Sequence, residues 1–289
     1  MIDEAVKKMR SLEIQGATNV ALFSLETVKK FARGRKIEEI REGIRKLMKA
    51  RPTEPLALNS LTYLLSLESP EKIVKEAQRI IEIIKNGLEK TVEIGANLIP
   101  ERAVVQTICH SSTVVDILVK AREMGKEVRV VVTETRPRYQ GRKTAWELYT
   151  KNVPVVMYVD SAMLLAMKKE KVDMVVTGFD AIFSDGSIAN KIGTGLLALA
   201  AERTGIPFYA AGLGLKLDYS SRFAQSVEIE ERDPREVWEY PIEIRNPAFE
   251  VVPKERIRGI ITELGVLAPE TAIIEIMRRY GEFFKSSRP

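Results

Sequence analysis

Cysteine and histidine are almost absent: the 289 residues hold one of each, Cys109 and His110, side by side. A single cysteine excludes an internal disulfide framework, and one histidine beside it leaves no zinc-type ligand cluster, so no metal is expected. A Ser/His/Asp site is excluded too, unless His110 itself serves. Long apolar runs are also missing. None approaches the ~18 residues that span a bilayer, and the start, Met1-Ile2-Asp3-Glu4-Ala5-Val6, lacks a secretory pattern, so a cytoplasmic location with no membrane contact is expected. Aromatic residues make up 7% and nowhere interleave with a basic block. The net charge of +5 comes from Lys and Arg mixed with Glu and Asp along helical faces, a pattern of solvated, salt-bridged helices rather than of a nucleic-acid surface. A positive balance does suit an anionic, phosphorylated ligand. Abundant Lys and Glu are a compositional hint of a thermophile.

What is present is enough for a large core. With 45% hydrophobic and 29% charged residues the chain has a globular composition, and its length fits one large or two unequal domains. From Asp3 to about Ile99 the apolar residues recur at three- and four-residue spacings, as in Ile37-Glu38-Glu39-Ile40 and from Ile73 to Leu98. Arg51-Pro52-Thr53-Glu54-Pro55 stops one helix and opens the next. An all-α domain over residues 1–100 follows. From Arg102 the period changes to short apolar runs, Ala103–Ile108, Val128–Val132, Val155–Val159, Met174–Val176 and Phe208–Ala211, alternating with helical stretches. Such alternation means βαβ units, so residues 101–289 should form an α/β, doubly wound, largely parallel Rossmann-like sheet. The stretch from Ile257 to Glu282 reads as helical.

The organising stretch runs from Met174 through Val176-Thr177-Gly178-Phe179-Asp180 to Asn190-Lys191-Ile192-Gly193-Thr194. A buried strand there ends on Asp180, and Asp185-Gly186 is a turn signal ahead of an Ala/Leu-rich helix. Ligands of open α/β sheets bind at the carboxyl ends of strands, so Asp180, Asn190 and Lys191 face a candidate site. Walled by apolar residues, Asp180 should have the raised pKa of a general acid, the alternative being a helix cap. Lys191 could fix a phosphate or be an ordinary surface lysine. The first strand ends in Thr107-Ile108-Cys109-His110-Ser111-Ser112-Thr113. A thiol at a helix N-terminus should have a lowered pKa and serve as base or nucleophile; the alternative is a small buried hydrophobe. Ser111 offers a cap hydroxyl and a phosphate donor there. After the second strand, Arg136 and Gln140 could hold phosphate or sugar oxygens, or the loop is merely solvated. Asp160 reads as a helix N-cap. The Gly193-Thr194-Gly195 and Gly212-Leu213-Gly214 patterns do not follow a first strand, so no nicotinamide site, and no cofactor, is expected.

Arg51-Pro52-Thr53, Thr107-Ile108-Cys109-His110-Ser111, Glu134-Thr135-Arg136-Pro137 with Gln140-Gly141, Gly178-Phe179-Asp180, Asn190-Lys191-Ile192-Gly193-Thr194, Pro207-Phe208-Tyr209 and Asn246-Pro247-Ala248-Phe249 together resemble the initiation factor 2B α/β/δ-related family. That family includes methylthioribose-1-phosphate isomerase and archaeal ribose-1,5-bisphosphate isomerase. The resemblance covers nearly the whole chain. It implies a catalytic pair at Cys109 and Asp180, which regulatory subunits generally lack, and Cys109-His110-Ser111 is similar to the ribose-1,5-bisphosphate branch. The isomerases carry Arg-Gly-Ala near the N-terminus; here Gln15-Gly16-Ala17 stands in that place, and an arginine contact to phosphate is lost. Two readings follow. In the first, a sugar-phosphate isomerase uses Asp180 as acid and Cys109 as base, with Gly16, Ala17, Arg51, Ser111, Arg136, Gln140, Asn190 and Lys191 holding phosphates and hydroxyls. In the second, a regulatory subunit senses a phosphorylated ligand and binds initiation factor 2. The resemblance also implies a homo-oligomer, a dimer or a hexamer, with Phe249 at the contact.

Overall fold

The computed structural model describes residues 1–219 and 230–284. Five helices come first: α1 (Ile2–Arg10), α2 (Ala17–Phe31), α3 (Ile37–Ala50), α4 (Pro55–Leu65) and α5 (Pro70–Leu98). Proline opens α4 and α5, where its missing N–H costs nothing, and the Ser69 hydroxyl caps α5 by accepting from the Lys72 amide at 3.2 Å. The periodic apolar faces meet in one cluster, with Ile40, Ile44, Leu61 and Ile84 among its members. That cluster continues into the sheet region through Ile108, Val175 and Phe179. Late in α5 the buried face turns small, and a Cβ on Gly95 would collide with Ile117, so this glycine lets the next helix approach closely.

The remainder alternates strand and helix: β1 (Arg102–Thr107), α6 (Ser112–Glu123), β2 (Glu127–Thr133), α7 (Gln140–Thr150), β3 (Val155–Tyr158), α8 (Met163–Glu170) and β4 (Met174–Gly178). Then come β5 (Ala181–Phe183), β6 (Ile188–Lys191), α9 (Thr194–Thr204), β7 (Phe208–Ala211), β8 (Leu217–Asp218), β9 (Phe249–Val252), β10 (Gly259–Thr262), β11 (Gly265–Leu267) and α10 (Pro269–Phe284). The main sheet has seven strands in the order β11-β10-β7-β4-β1-β2-β3, parallel except for β11. Taken in chain order, its six parallel strands stand 3-2-1-4-5-6, the doubly wound arrangement whose connections reverse direction between the first and fourth strands. Here those are β1 and β4, and Cys109 and Asp180 follow their carboxyl ends.

Two readings of the sequence need correction. The stretch from Ile257 is not helical throughout: Gly259-Ile260-Ile261-Thr262 is β-branched and wholly buried, and it joins the sheet beside β7 before α10 begins. The Asp185-Gly186 turn does not lead straight into a helix. It closes a β5–β6 hairpin, and α9 starts only at Thr194. This hairpin belongs to a second sheet, in the order β8-β5-β6-β9, in which Lys191 stands opposite Phe249 and Asn190 opposite Glu250. Phe249 therefore sits in a paired, half-buried strand.

Candidate active site

The strand ends, the small sheet, the start of α2 and the α3–α4 link surround a cavity of about 300 Å³, the lower end of the range for small-ligand sites. Its walls include Gly16, Ala17, Arg51, Cys109, Ser111, Gln140, Asp180, Asn190 and Lys191. Arg136 is not among them. Its guanidinium donates outside the cavity, to the Tyr139 hydroxyl at 2.8 Å and the Val237 carbonyl at 3.2 Å. What this loop contributes is backbone, since the amides of Thr135 and Arg136 both donate to the Asp160 carboxylate, at 2.8 and 2.7 Å. Asp160 thus pins the Glu134-Thr135-Arg136-Pro137 turn, not the helix start that follows it.

Cys109 has φ of +62°, a left-handed conformation that costs a non-glycine residue of order 1–3 kcal/mol. Its surroundings enforce it: the Cys109 amide donates to Thr135 Oγ1 at 2.9 Å, and its carbonyl accepts from Thr144 Oγ1 at 2.7 Å. Because Thr144 spends its proton on that carbonyl, its oxygen is left to accept from His110 Nδ1 at 3.1 Å, which fixes the proton of the neutral ring on Nδ1. Burial and the Lys143 ammonium push the His110 pKa down, opposed by Glu147 and Asp116, so the ring is neutral at pH 7. Ser111 caps α6, its hydroxyl accepting from the Val114 amide at 3.4 Å. Gly178 makes room for it: a Cβ there would lie 2.7 Å from Ser111 Oγ.

The thiol does not behave as a helix N-terminus alone would predict. Burial pushes Cys109 up to about 12, helped by the Asp180 carboxylate, while the His110 amide, Lys191 and Arg232 pull the other way. The thiol opens onto the cavity, but its immediate surroundings are protein atoms, and loss of hydration outweighs the helix and the cations. Asp180 is raised by the same cause, as expected, against Lys216, Arg51, Arg232 and Lys191. Burial lowers Lys191 and Lys216.

Five charged residues in these walls escaped the sequence reading: Lys143 and Glu147 beside His110, and Lys216, Arg232 and Glu54 nearer Asp180. Lys216, on the short turn after β7, donates to the Phe179 carbonyl at 2.6 Å; that turn is tied to α4, whose Asn59 amide donates to the Leu215 and Leu217 carbonyls at 2.9 and 2.8 Å. Arg232 lies 3.1 Å from Glu230 and 5.8 Å from the centre of the Phe249 ring. Glu54 forms a buried pair with Arg51 at 2.7 Å. Arg232 stands in a run of acids, Glu230-Glu231-Arg232-Asp233, Lys216 follows a Gly-Leu-Gly turn, and Glu54 sits between two prolines. Only Glu54 had a local signal, its place in the loop that also holds Arg51.

The array can give a proton from the half-buried Asp180 carboxyl, take one at the half-buried Cys109 sulfur, and hold anions on lysine, arginine and the free amides at the start of α2. Among the described residues no three of His, Cys, Asp and Glu stand as a metal site would need, and no helix is long and apolar enough to cross a membrane.

Residues 13–269 match the initiation factor 2 subunit family. The chain belongs to that family. It is 37% identical to a ribose 1,5-bisphosphate isomerase of Archaeoglobus fulgidus, covering 96% of this chain and 93% of the relative. To a methylthioribose-1-phosphate isomerase of Heliobacterium modesticaldum it is 34% identical, over 84% and 78% of the two chains. A crystal structure of the Pyrococcus horikoshii translation initiation factor eIF-2B superposes with a TM-score of 0.85 at 30% identity, covering 94% of this chain and 98% of that one.

Proposed function

We propose that the protein is an aldose–ketose isomerase that converts ribose 1,5-bisphosphate to ribulose 1,5-bisphosphate. The observation that carries this reading is that Cys109 and Asp180, from the ends of β1 and β4, line one cavity together with the cations Arg51, Lys191, Lys216 and Arg232. A ribose whose C1 oxygen bears phosphate cannot open its ring unaided. Asp180 would give its proton to the ring oxygen, breaking the C1–O bond, while Cys109 as thiolate takes the C2 proton. The enol so formed has a C1=C2 double bond. Cys109 then returns a proton to C1, the 2-hydroxyl proton passes to Asp180, and a C2 ketone is left, with both residues back in their starting forms. Two acid–base groups with opposed tasks in one site are the pattern such chemistry needs.

The thiol must lose its proton before it can act, and Lys191, Arg232 and the His110 amide are the groups that favour the thiolate. Gly16 and Ala17, at the start of α2, offer backbone amides to a phosphate, with Arg51 and Lys191 as charged partners. Asn190 spends one amide N–H on Thr194 Oγ1 at 3.0 Å, which leaves its second N–H and its carbonyl oxygen to meet a sugar hydroxyl. Gln140 keeps a buried side-chain oxygen without a partner among the described residues, as a hydroxyl-binding amide would before its ligand arrives. Ser111 adds a hydroxyl at the same wall. A homo-oligomer belongs to the same reading.

The test is to supply ribose 1,5-bisphosphate and follow the ribulose product. Turnover supports the isomerase. No turnover, together with capture of initiation factor 2 by the purified protein, supports the regulatory reading, which the likeness to the Pyrococcus factor keeps in play.

A further inference from the structure

Glu54 is a buried charged side chain of the cavity that the proposed chemistry does not use. Its carboxylate is 4% exposed; Oε1 accepts from Arg51 at 2.7 Å, and Oε2 is sealed from water without a partner among the described residues. A buried ionised oxygen with no donor is costly, and a proton there lowers the cost by removing the charge. Asp180, in the same cavity, is the like charge that acts on Glu54.

We propose that Glu54 and Asp180 hold a single proton between them at neutral pH, with Glu54 the positioning residue that keeps this proton available at Asp180. The charged groups around the pair come from separate elements. Arg51 arrives from the α3–α4 link, Lys191 from β6, Lys216 from the turn after β7, Arg232 from the chain before β9, and Cys109 from the end of β1. The four cations favour two carboxylates; burial and mutual repulsion oppose that. Burial and Asp180 together raise Glu54 to about 7 against the pull of Arg51, so repulsion and desolvation prevail over the cations. Two carboxyls in one cavity, one of them sealed from water, then titrate as a unit, the first proton leaving readily and the second late. The late proton is the one a general acid needs. The part played in turnover rests on the isomerase reading; the shared proton does not.

The experiment uses the full-length protein with Glu54→Gln and Glu54→Asp. With a neutral amide at position 54, Asp180 faces the four cations alone and gives up its proton at lower pH. Because the Cys109 thiol titrates last, Asp180 sets the lower break of kcat against pH, and this limb should move to lower pH by about one unit in Glu54→Gln and stay in place in Glu54→Asp. A merely structural role lowers kcat and Tm in both variants and leaves the limb where it was. Carboxyl carbon-13 titration separates this proposal from the isomerase reading. In the wild type, the Asp180 signal, assigned by its loss in Asp180→Asn, should titrate in two steps together with Glu54. Independent single-step titrations, or an unmoved Asp180 midpoint in Glu54→Gln, overturn the proposal even if the enzyme turns over. The coupled titration sustains it even if ribose 1,5-bisphosphate is not the substrate. Should Glu54→Gln fail to fold, the wild-type titration alone decides.

Discussion

Cys109 is the chain's one thiol, so any thiol reagent reports on the site directly. Its pKa, pushed up to about 12 from an ordinary value near 9, predicts how it reacts. Only the thiolate attacks, so at pH 8 about one molecule in ten carries it in an ordinary peptide and about one in ten thousand in this protein. Iodoacetamide should therefore label Cys109 about a thousandfold more slowly than a peptide thiol at pH 8. Restricted access could also slow labelling, so the pH profile decides, with the rate climbing about tenfold per pH unit and no plateau below about pH 11. Lys191→Met removes a cation that favours the thiolate and should slow labelling further; Asp180→Asn removes the opposing carboxylate and should speed it. Stability follows the same shift. A thiol whose pKa is raised by folding contributes stability that is whole below its unfolded value and is lost as pH climbs from about 9 to about 12, by up to about 1.4 kcal/mol per unit. The alkaline fall in stability should thus be shallower in Cys109→Ser than in wild type. A plateau in wild-type labelling near pH 8 would refute the reasoning and restore the expectation that the helix start dominates the thiol.

Gln15 lines the cavity, but its amide folds back onto the Leu12 carbonyl at 2.7 Å, so Gln15→Arg should add a charge-assisted phosphate contact and lower KM by about tenfold in steady-state kinetics. An unchanged KM would place the phosphates elsewhere. Gly178→Ala would press a methyl against Ser111 and loosen the α6 cap, costing about 1 kcal/mol and a Tm loss of about 2–4 °C in a thermal scan, with lower turnover. The neighbouring α8 and α9 expose Leu164, Leu165, Leu196 and Leu199, and sedimentation should find at least a dimer that Leu165→Glu weakens. A wild-type monomer would remove that expectation.

The sheet strands were legible because β1, β2 and β4 are short, β-branched and buried on both faces, a pattern few other structures share. β10 was misread because Ile260-Ile261 stands just before a true helix, and the two periods blur over so few residues. Cys109 and Asp180 could be singled out because each directly follows a central strand. Their protonation could not. It depends on burial and on cations such as Lys216 and Arg232, which come from elsewhere in the chain and meet the pair only in the folded protein. Arg136 misled for the opposite reason: its sequence neighbours suit a phosphate, yet Tyr139 and Val237 claim its guanidinium.

The central claim is that Cys109 and Asp180 are the reacting pair, and it is tested most directly by ribose 1,5-bisphosphate turnover in Cys109→Ser and Asp180→Asn, with ligand binding followed by thermal shift. The account predicts that both variants fold, bind the sugar phosphate, and lose on the order of 10²–10⁴ in kcat. Either variant turning over within tenfold of wild type would contradict it.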